Sequence, residues 1–294
     1  MPGFSTLRRF ILGAAVLGFA AHAAAAPAPL TLDVYNPGAA AIFPVSSVLV
    51  SGEKDAILID AQFAAAQARQ VVDKIRASGK HLTTIYISHG DPDYYFGLET
   101  LTRAFPDAKV LASGPTVEHI NKTKDAKLAY WGPQMGQDVP GRLIVPQVLK
   151  GNTLELEGRE LDIVGLGGRQ PDRTFVWIPS LKAVVGGVVV ADNLHVWMAD
   201  TQTPQSHRQW LATLKRIDSL QPQVVVPGHY LGQNDRSLNA VHFTRDYIKA
   251  FDEEALKARN SGELIAAMKK RYPDLGEESS LELSAKVAKD EVQW

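Results

Sequence analysis

The residues that invite chemistry are concentrated in one short stretch, His89-Gly90-Asp91-Pro92-Asp93-Tyr94. Imidazole and carboxylate are donors that bind zinc, and zinc makes hydroxide available from its bound water near neutral pH. A high share of carboxylate also suits harder ions such as manganese, magnesium or calcium. Tyr94 is a poorer donor, because a phenol titrating near ~10 must first lose its proton. The chain has no cysteine, which excludes disulfides, thiol nucleophiles and thiolate metal sites. Ser88 and Ser180 have no visible partners for a nucleophilic triad, and no glycine loop of the phosphate-binding kind occurs.

The stretch has to be held by the elements on either side of it. Thr84 to Ser88 alternates polar and apolar residues and is rich in β-branched side chains, which predicts a strand entering the core. The pattern stops at His89-Gly90, and helical spacing follows at Leu98, Leu101 and Phe105. If alternation continues through His89, Asp91 and Asp93, three ligand-type side chains point the same way. They would lie at the carboxyl end of a strand, where open α/β sheets place their sites. The alternative for Asp91 and Asp93 is a capping role at the helix over 96–105.

The loop resembles the His-x-His-x-Asp-His signature of the metallo-β-lactamase superfamily, with His89 and Asp93 matching and Asp91 and Tyr94 standing in two histidine positions. Ala56–Asp60 is similar to that family's earlier strand ending in Asp. Thr174–Val190 is similar to its later hairpin, turning at Pro179-Ser180-Leu181-Lys182. Val224–His229 is similar to the strand that delivers its last histidine. The resemblance covers about residues 41–235. It implies an α/β fold, the αββα four-layer sandwich of the metallo-β-lactamase type, with His89, Asp91, Asp93 and His229 around one divalent metal. Zinc is the first expectation, with manganese or magnesium as alternatives. Asp60 would orient a ligand. Two departures limit the metal chemistry: Gly168 stands where the family supplies a further histidine, and Val188 where it supplies the Asp that bridges two metals. Asp93, Tyr94 and His195 are the candidate catalytic residues. Asn193, His195 and Trp197 alternate onto one face, so His195 either compensates within the cleft or belongs to a half-exposed polar face. His81, His119, His207 and His242 are expected to have ordinary roles.

Around this core, helices are predicted over 62–77, stopped by Gly79, and over 205–220, with Thr203 as cap and Pro204 at the first position. Strands are predicted at 30–35, 41–50, 108–112, 143–149, 153–156 and 161–164. Residues 115–146 carry a basic run, Lys122–Lys127, and the aromatics Tyr130 and Trp131. They read as a surface insertion with one aromatic packed on the body, or as a flap over the site. Beyond 237 the pattern is helical, with Ser279 and Glu282 offering a capping box for the last helix.

With 294 residues, 45% of them hydrophobic, the chain can bury a large core. The expected organisation is a signal peptide over 1–23, a metallo-β-lactamase-like domain over 30–236 and a helical extension over 237–294 on the same domain. Arg8-Arg9 precede an apolar run from Phe10 to Ala21 that is too short for a membrane span, and Ala21-His22-Ala23 offers a cleavage pattern. The segment is either an ordinary secretory signal or a twin-arginine one, and both place the protein in the periplasm. Removing Arg8 and Arg9 from 31 basic residues leaves 29 against 32 acidic, a net charge of −3, which gives no electrostatic reason to expect nucleic acid as a partner. A small-molecule substrate is expected, with no stable membrane span. Two functions stand: a periplasmic hydrolase cleaving an ester, lactone or amide with one metal-activated water, or a catalytically silent relative binding a small molecule or a protein in the cleft.

Overall fold

The computed structural model describes residues 28–294 together with Gly3, so the expected signal peptide lies almost entirely outside the described residues. Six strands form the first sheet in sequence order: β1 (Thr31–Tyr35), β2 (Ser47–Ser51), β3 (Asp55–Ile59), β4 (His81–Ile87), β5 (Lys109–Ala112) and β6 (Gln147–Val148). β1 to β3 are antiparallel neighbours, and β3 to β6 run parallel. Parallel neighbours need crossovers, and helices provide them: α1 (Ala65–Ser78) between β3 and β4, then α2 (Pro92–Tyr95) and α3 (Leu98–Ala104) before β5, and α4 (Gly114–Met135) before β6. α1 forms because Ala68, Val71, Val72 and Ile75 make one apolar stripe, and it stops at Gly79 in the left-handed region.

The second sheet has the order β12-β10-β9-β8-β7, from β7 (Thr153–Leu156), β8 (Arg159–Val164), β9 (Phe175–Ile178), β10 (Ala183–Val185) and β12 (Val224–Val225). A short parallel pair, β11 (Ala191–Asp192) with β13 (His229–Tyr230), lies apart from it. The two large sheets meet through Val48, Ile57, Ile59 and Tyr86 on one side and Leu161, Ile163, Val176 and Val185 on the other. Each such buried aliphatic side chain contributes about 1.5–3 kcal/mol. A second apolar layer joins the first sheet to α1, α3 and α4. A third joins the second sheet to α5 (Pro204–Ser219), α6 (Asn239–Lys257), α7 (Ser261–Arg271) and α8 (Glu278–Ala288). The architecture is therefore αββα, and the C-terminal helices share a core with α5 and β11. No helix among the described residues is long and apolar enough to cross a membrane.

Several local expectations needed correction. The 115–146 segment, for which no helix was expected, is mostly one helix, 114–135, capped by Ser113, whose hydroxyl accepts the Thr116 N–H. Its glycines, prolines and scattered apolar residues hide the period, and only Thr116, Ile120, Trp131 and Met135 are buried. Trp131 packs edge-on against Phe43, at 4.9 Å between ring centres, while Tyr130 stays exposed. Of the strand expected at 143–149, only Gln147–Val148 pairs, and of 41–50 the strand starts at Ser47, with Val45 adding a lone antiparallel bridge to His229. Ser279 does not cap the last helix; Glu277, in a left-handed conformation, stands at its N-cap without a side-chain bond to the backbone of the first turn. Thr203 and Ser206 do form the reciprocal box that starts α5.

Candidate functional site

The site is built at the end of β4. Ile59 of β3 pairs with Tyr86 of β4, so Asp60 and Ser88 emerge next to each other. Asp60 accepts the Ser88 N–H at 2.8 Å and the Ser88 hydroxyl at 2.6 Å, and the Ser88 oxygen accepts the Gly187 N–H at 2.7 Å. This relay fixes the backbone just before His89 and ties it to the turn after β10. Complete burial pushes the Asp60 carboxyl up to about 7, although its bonds to Ser88 oppose the shift. Asp60 thus positions the loop rather than touching a metal-type donor.

The loop does not continue the strand. Asp91 is extended at the N-cap of α2, and Pro92 opens a helical turn that contains Asp93 and Tyr94. In a strand, side chains two residues apart share a face; in a helix they are about 200° apart. The expected alignment of His89, Asp91 and Asp93 is broken there, and two separate pairs form. His229 Nε2, delivered by β13, lies 2.6 Å from Asp93 Oδ2, and its Nδ1 lies 3.3 Å from the Tyr94 hydroxyl. His89 Nδ1 lies 3.3 Å from Asp91 Oδ2. Neither Asp91 nor Asp93 caps α2 through its side chain.

Two further basic side chains approach the second pair. Lys127 Nζ lies 3.8 Å and His119 Nε2 3.9 Å from Asp91 Oδ1. His119 reaches in over Gly90, where a Cβ would sit only 2.5 Å from its ring. Burial works against the Asp91 carboxylate, but His89 and Lys127 hold its pKa well below the usual range. Burial likewise works against a charged His89, yet Asp91 raises its pKa on balance. Tyr94 is fully buried, and burial with the Asp93 carboxylate keeps its phenol protonated.

His195 lies in the cleft and not on a half-exposed polar face. The segment after β11 leaves strand geometry at Asn193, whose φ is +56°, so the expected alternation fails. His195 is 1% exposed, its Nδ1 is 3.0 Å from the Tyr247 hydroxyl of α6, and burial lowers its pKa. It lines the same chamber as Asp93 and His229 as a neutral wall residue.

Two chambers adjoin at the site. An inner one of about 60 Å³ is lined by Asp93, His229, His195, Val188, Phe43 and four of the five tryptophans, Trp131, Trp197, Trp210 and Trp294. An outer one of about 650 Å³ is lined by His89, His119, Lys122, Asp172 and Arg173. Lys127, Asp200 and Trp294 belong to both. Asp200 accepts the indole N–H of Trp197 at 2.6 Å and of Trp294 at 2.7 Å, and Lys127 lies 4.8 Å from the centre of a Trp294 ring. Arg173, Lys127, Asp200, Glu277 and Trp294 were missed by sequence reasoning. They are single residues outside any motif, and Lys127 sat in a basic run read as surface.

The superfamily's metal ions need several donors facing one point. Here His229 Nε2 is engaged by Asp93, His89 Nδ1 lies against Asp91 and accepts its backbone N–H, Gly168 and Val188 offer no donor, and Tyr94 is held neutral. Among the described residues no three or more His, Asp or Glu side chains are grouped so as to hold a metal ion. Positive charge beside Asp91 comes instead from Lys127 and from buried Arg173. As arranged, His89, Asp91, Asp93 and His229 form two separate pairs and are not grouped as one metal-ligating set.

Known proteins place the fold. The solved metallo-beta-lactamase from Pontibacter korlensis is similar over 75% of this chain and 95% of its own, with a TM-score of 0.56 and 19% identity. A metallo-beta-lactamase family protein from Thermus thermophilus matches over 89% of this chain and 91% of its own, at TM-score 0.62 and 16% identity. A beta-lactamase domain protein from Burkholderia ambifaria matches over 89% and 84%, at TM-score 0.63 and 15% identity. These likenesses are of fold. The uncharacterized protein YobT of Bacillus subtilis (strain 168) is 36% identical over 73 residues, 25% of this chain and 31% of that one, so the match spans about a third of that relative's length. The sequence profile of the metallo-beta-lactamase superfamily matches residues 41–229, from just before the first buried strand of the sandwich to the histidine that faces Asp93. The chain belongs to the metallo-β-lactamase superfamily.

Proposed function

We propose that the protein binds a small organic molecule in the cleft at the end of β4, and that the ionisable groups there orient this molecule instead of holding a metal. The observation that carries the reading is the pairing of donors: His229 with Asp93 at 2.6 Å and His89 with Asp91 at 3.3 Å. Ionisable groups clustered in a cleft cost stability and mark a functional site more often than a structural one. The aromatic inner chamber and the wide outer one together suit a ligand with an apolar end and a polar body. Export by residues 1–23 to the periplasm is part of the proposal; its support is Arg8-Arg9 ahead of the apolar run Phe10–Ala21.

Four of five tryptophans line the inner chamber, so titration of small aromatic compounds should change the intrinsic fluorescence saturably, with the same affinity in a metal chelator. Binding that disappears in chelator and returns with zinc would overturn the reading. A second reading, hydrolysis of an ester, lactone or amide at the same place, is favoured by one observation: the inner wall carries an imidazole, His229, backed by a carboxylate, Asp93. Turnover of an ester and lactone panel that is lost in His229→Ala would select it.

A further inference from the structure

Arg173 is a buried cation at the site whose hydrogen-bonding edge is free. It is 7% exposed, it lines the outer chamber, and its Nε and Nη2 donors have no partner among the described residues. These two donors share one edge of the guanidinium, the edge that grips a carboxylate through two parallel bonds. Its Cζ lies 4.5 Å from the centre of the Trp210 ring, and Trp210 is itself fixed by its N–H bond to the Val189 carbonyl at 2.8 Å. The guanidinium is therefore held in place by stacking while its edge has no acceptor. A buried donor left without an acceptor is costly, and the cost is relieved when a ligand supplies one.

The carboxylates nearby are otherwise engaged. Asp200 accepts two indole N–H groups, and Asp91 faces His89, His119 and Lys127. Asp172 lies 4.0 Å from His119, and among the described residues no carboxylate forms an ion pair with Arg173. Lys122, Lys127 and His119 line the same chamber, and His119 Nε2 has no hydrogen-bond partner either.

We infer that the outer chamber is an anion subsite in which Arg173 receives the carboxylate of a small organic acid. The inference rests on the reading of the cleft as a small-molecule site and adds the class of molecule. A volume of about 650 Å³ holds the body of such an acid, and the tryptophan-lined inner chamber takes an apolar end.

The test uses the full protein and neutral isosteres. Acetate, benzoate and 1-naphthylacetate are titrated against acetamide, benzamide and 1-naphthylacetamide, with tryptophan fluorescence as the readout. At least one acid should bind about 10-fold more tightly than its amide, the worth of a charge-assisted pair of bonds. Arg173→Gln should remove that preference. Should Arg173→Gln fail to fold, Arg173→Lys keeps the charge without the two-donor edge and should reduce the preference several-fold. Amides that bind as tightly as acids, or a preference that survives Arg173→Gln, would overturn the anion subsite while leaving the cleft reading intact. No binding by any of the six compounds would remove both.

Discussion

Asp60 offers a prediction whose magnitude follows from its surroundings. Its side chain is fully buried, and both its oxygens face Ser88. Burial raises its folded pKa from the ordinary 3.8 to about 7. The folded state thus binds this proton more tightly than the unfolded state. The stability associated with it is complete below the unfolded pKa and is lost as pH rises through the folded one. A shift of about three units amounts to about 4 kcal/mol over the whole window, of which about 2.5 kcal/mol falls between about pH 5 and about pH 8. Asn is the matching probe, since its amide oxygen can accept the Ser88 N–H while its NH₂ donates to the Ser88 oxygen. Urea denaturation of the wild type and Asp60→Asn at the two pH values isolates the group, because other titrations cancel in the comparison. The wild type should lose about 2.5 kcal/mol more than the variant on going to the higher pH. Asp91, whose pKa is depressed, acts in a different window, adding stability above its unfolded pKa that is lost only in acid. Identical pH dependence in wild type and Asp60→Asn would refute the buried, proton-holding role of Asp60.

Three further outcomes are expected. His229→Ala leaves Asp93, only 7% exposed at its side chain, without its imidazole, so a double-mutant cycle with Asp93→Ala should show a coupling of about 1–3 kcal/mol in thermal or urea unfolding; additive effects would deny the contact. Gly97→Ala places a Cβ 2.0 Å from the Ala61 carbonyl oxygen, where neither backbone can give way easily. A loss of about 3 kcal/mol or more is expected, and an unchanged melting temperature would contradict the close approach. Glu157 accepts the N–H groups of Glu53, Lys54 and Asp55, and these bonds bring its carboxyl down to about 2; a carbon-detected NMR titration should find that midpoint, and a value near 4.5 would mean the bonds are absent in solution.

The sandwich was legible because its signals are local. Alternation in 84–88, the stripe of Ala68, Val71, Val72 and Ile75, and the Thr203-Pro204 start of α5 each specify an element without help from distant residues. α4 was not legible, since Gly114, Pro115, Gly132 and Pro133 argue against a helix that Ile120, Trp131 and Met135 stabilise by packing on the first sheet. The site divided in the same way. His89, Asp93 and His229 were readable as a motif, but which of them meet depends on Pro92, which turns the chain and separates Asp93 from His89 and Asp91. Arg173, just ahead of β9, and Lys127, on α4, are brought beside Asp91 from segments distant in sequence, and nothing local marks them.

The most direct test of the paired-donor account is the metal content of the protein purified without chelator, measured by elemental analysis alongside His229→Ala. The account predicts well under one equivalent of zinc, manganese or magnesium per chain, the same in both proteins, with the aromatic-ligand fluorescence response of the wild type undiminished in chelator. One or more equivalents of tightly held metal in the wild type, lost in His229→Ala, would show that Asp93 and His229 open to receive an ion and would contradict the account.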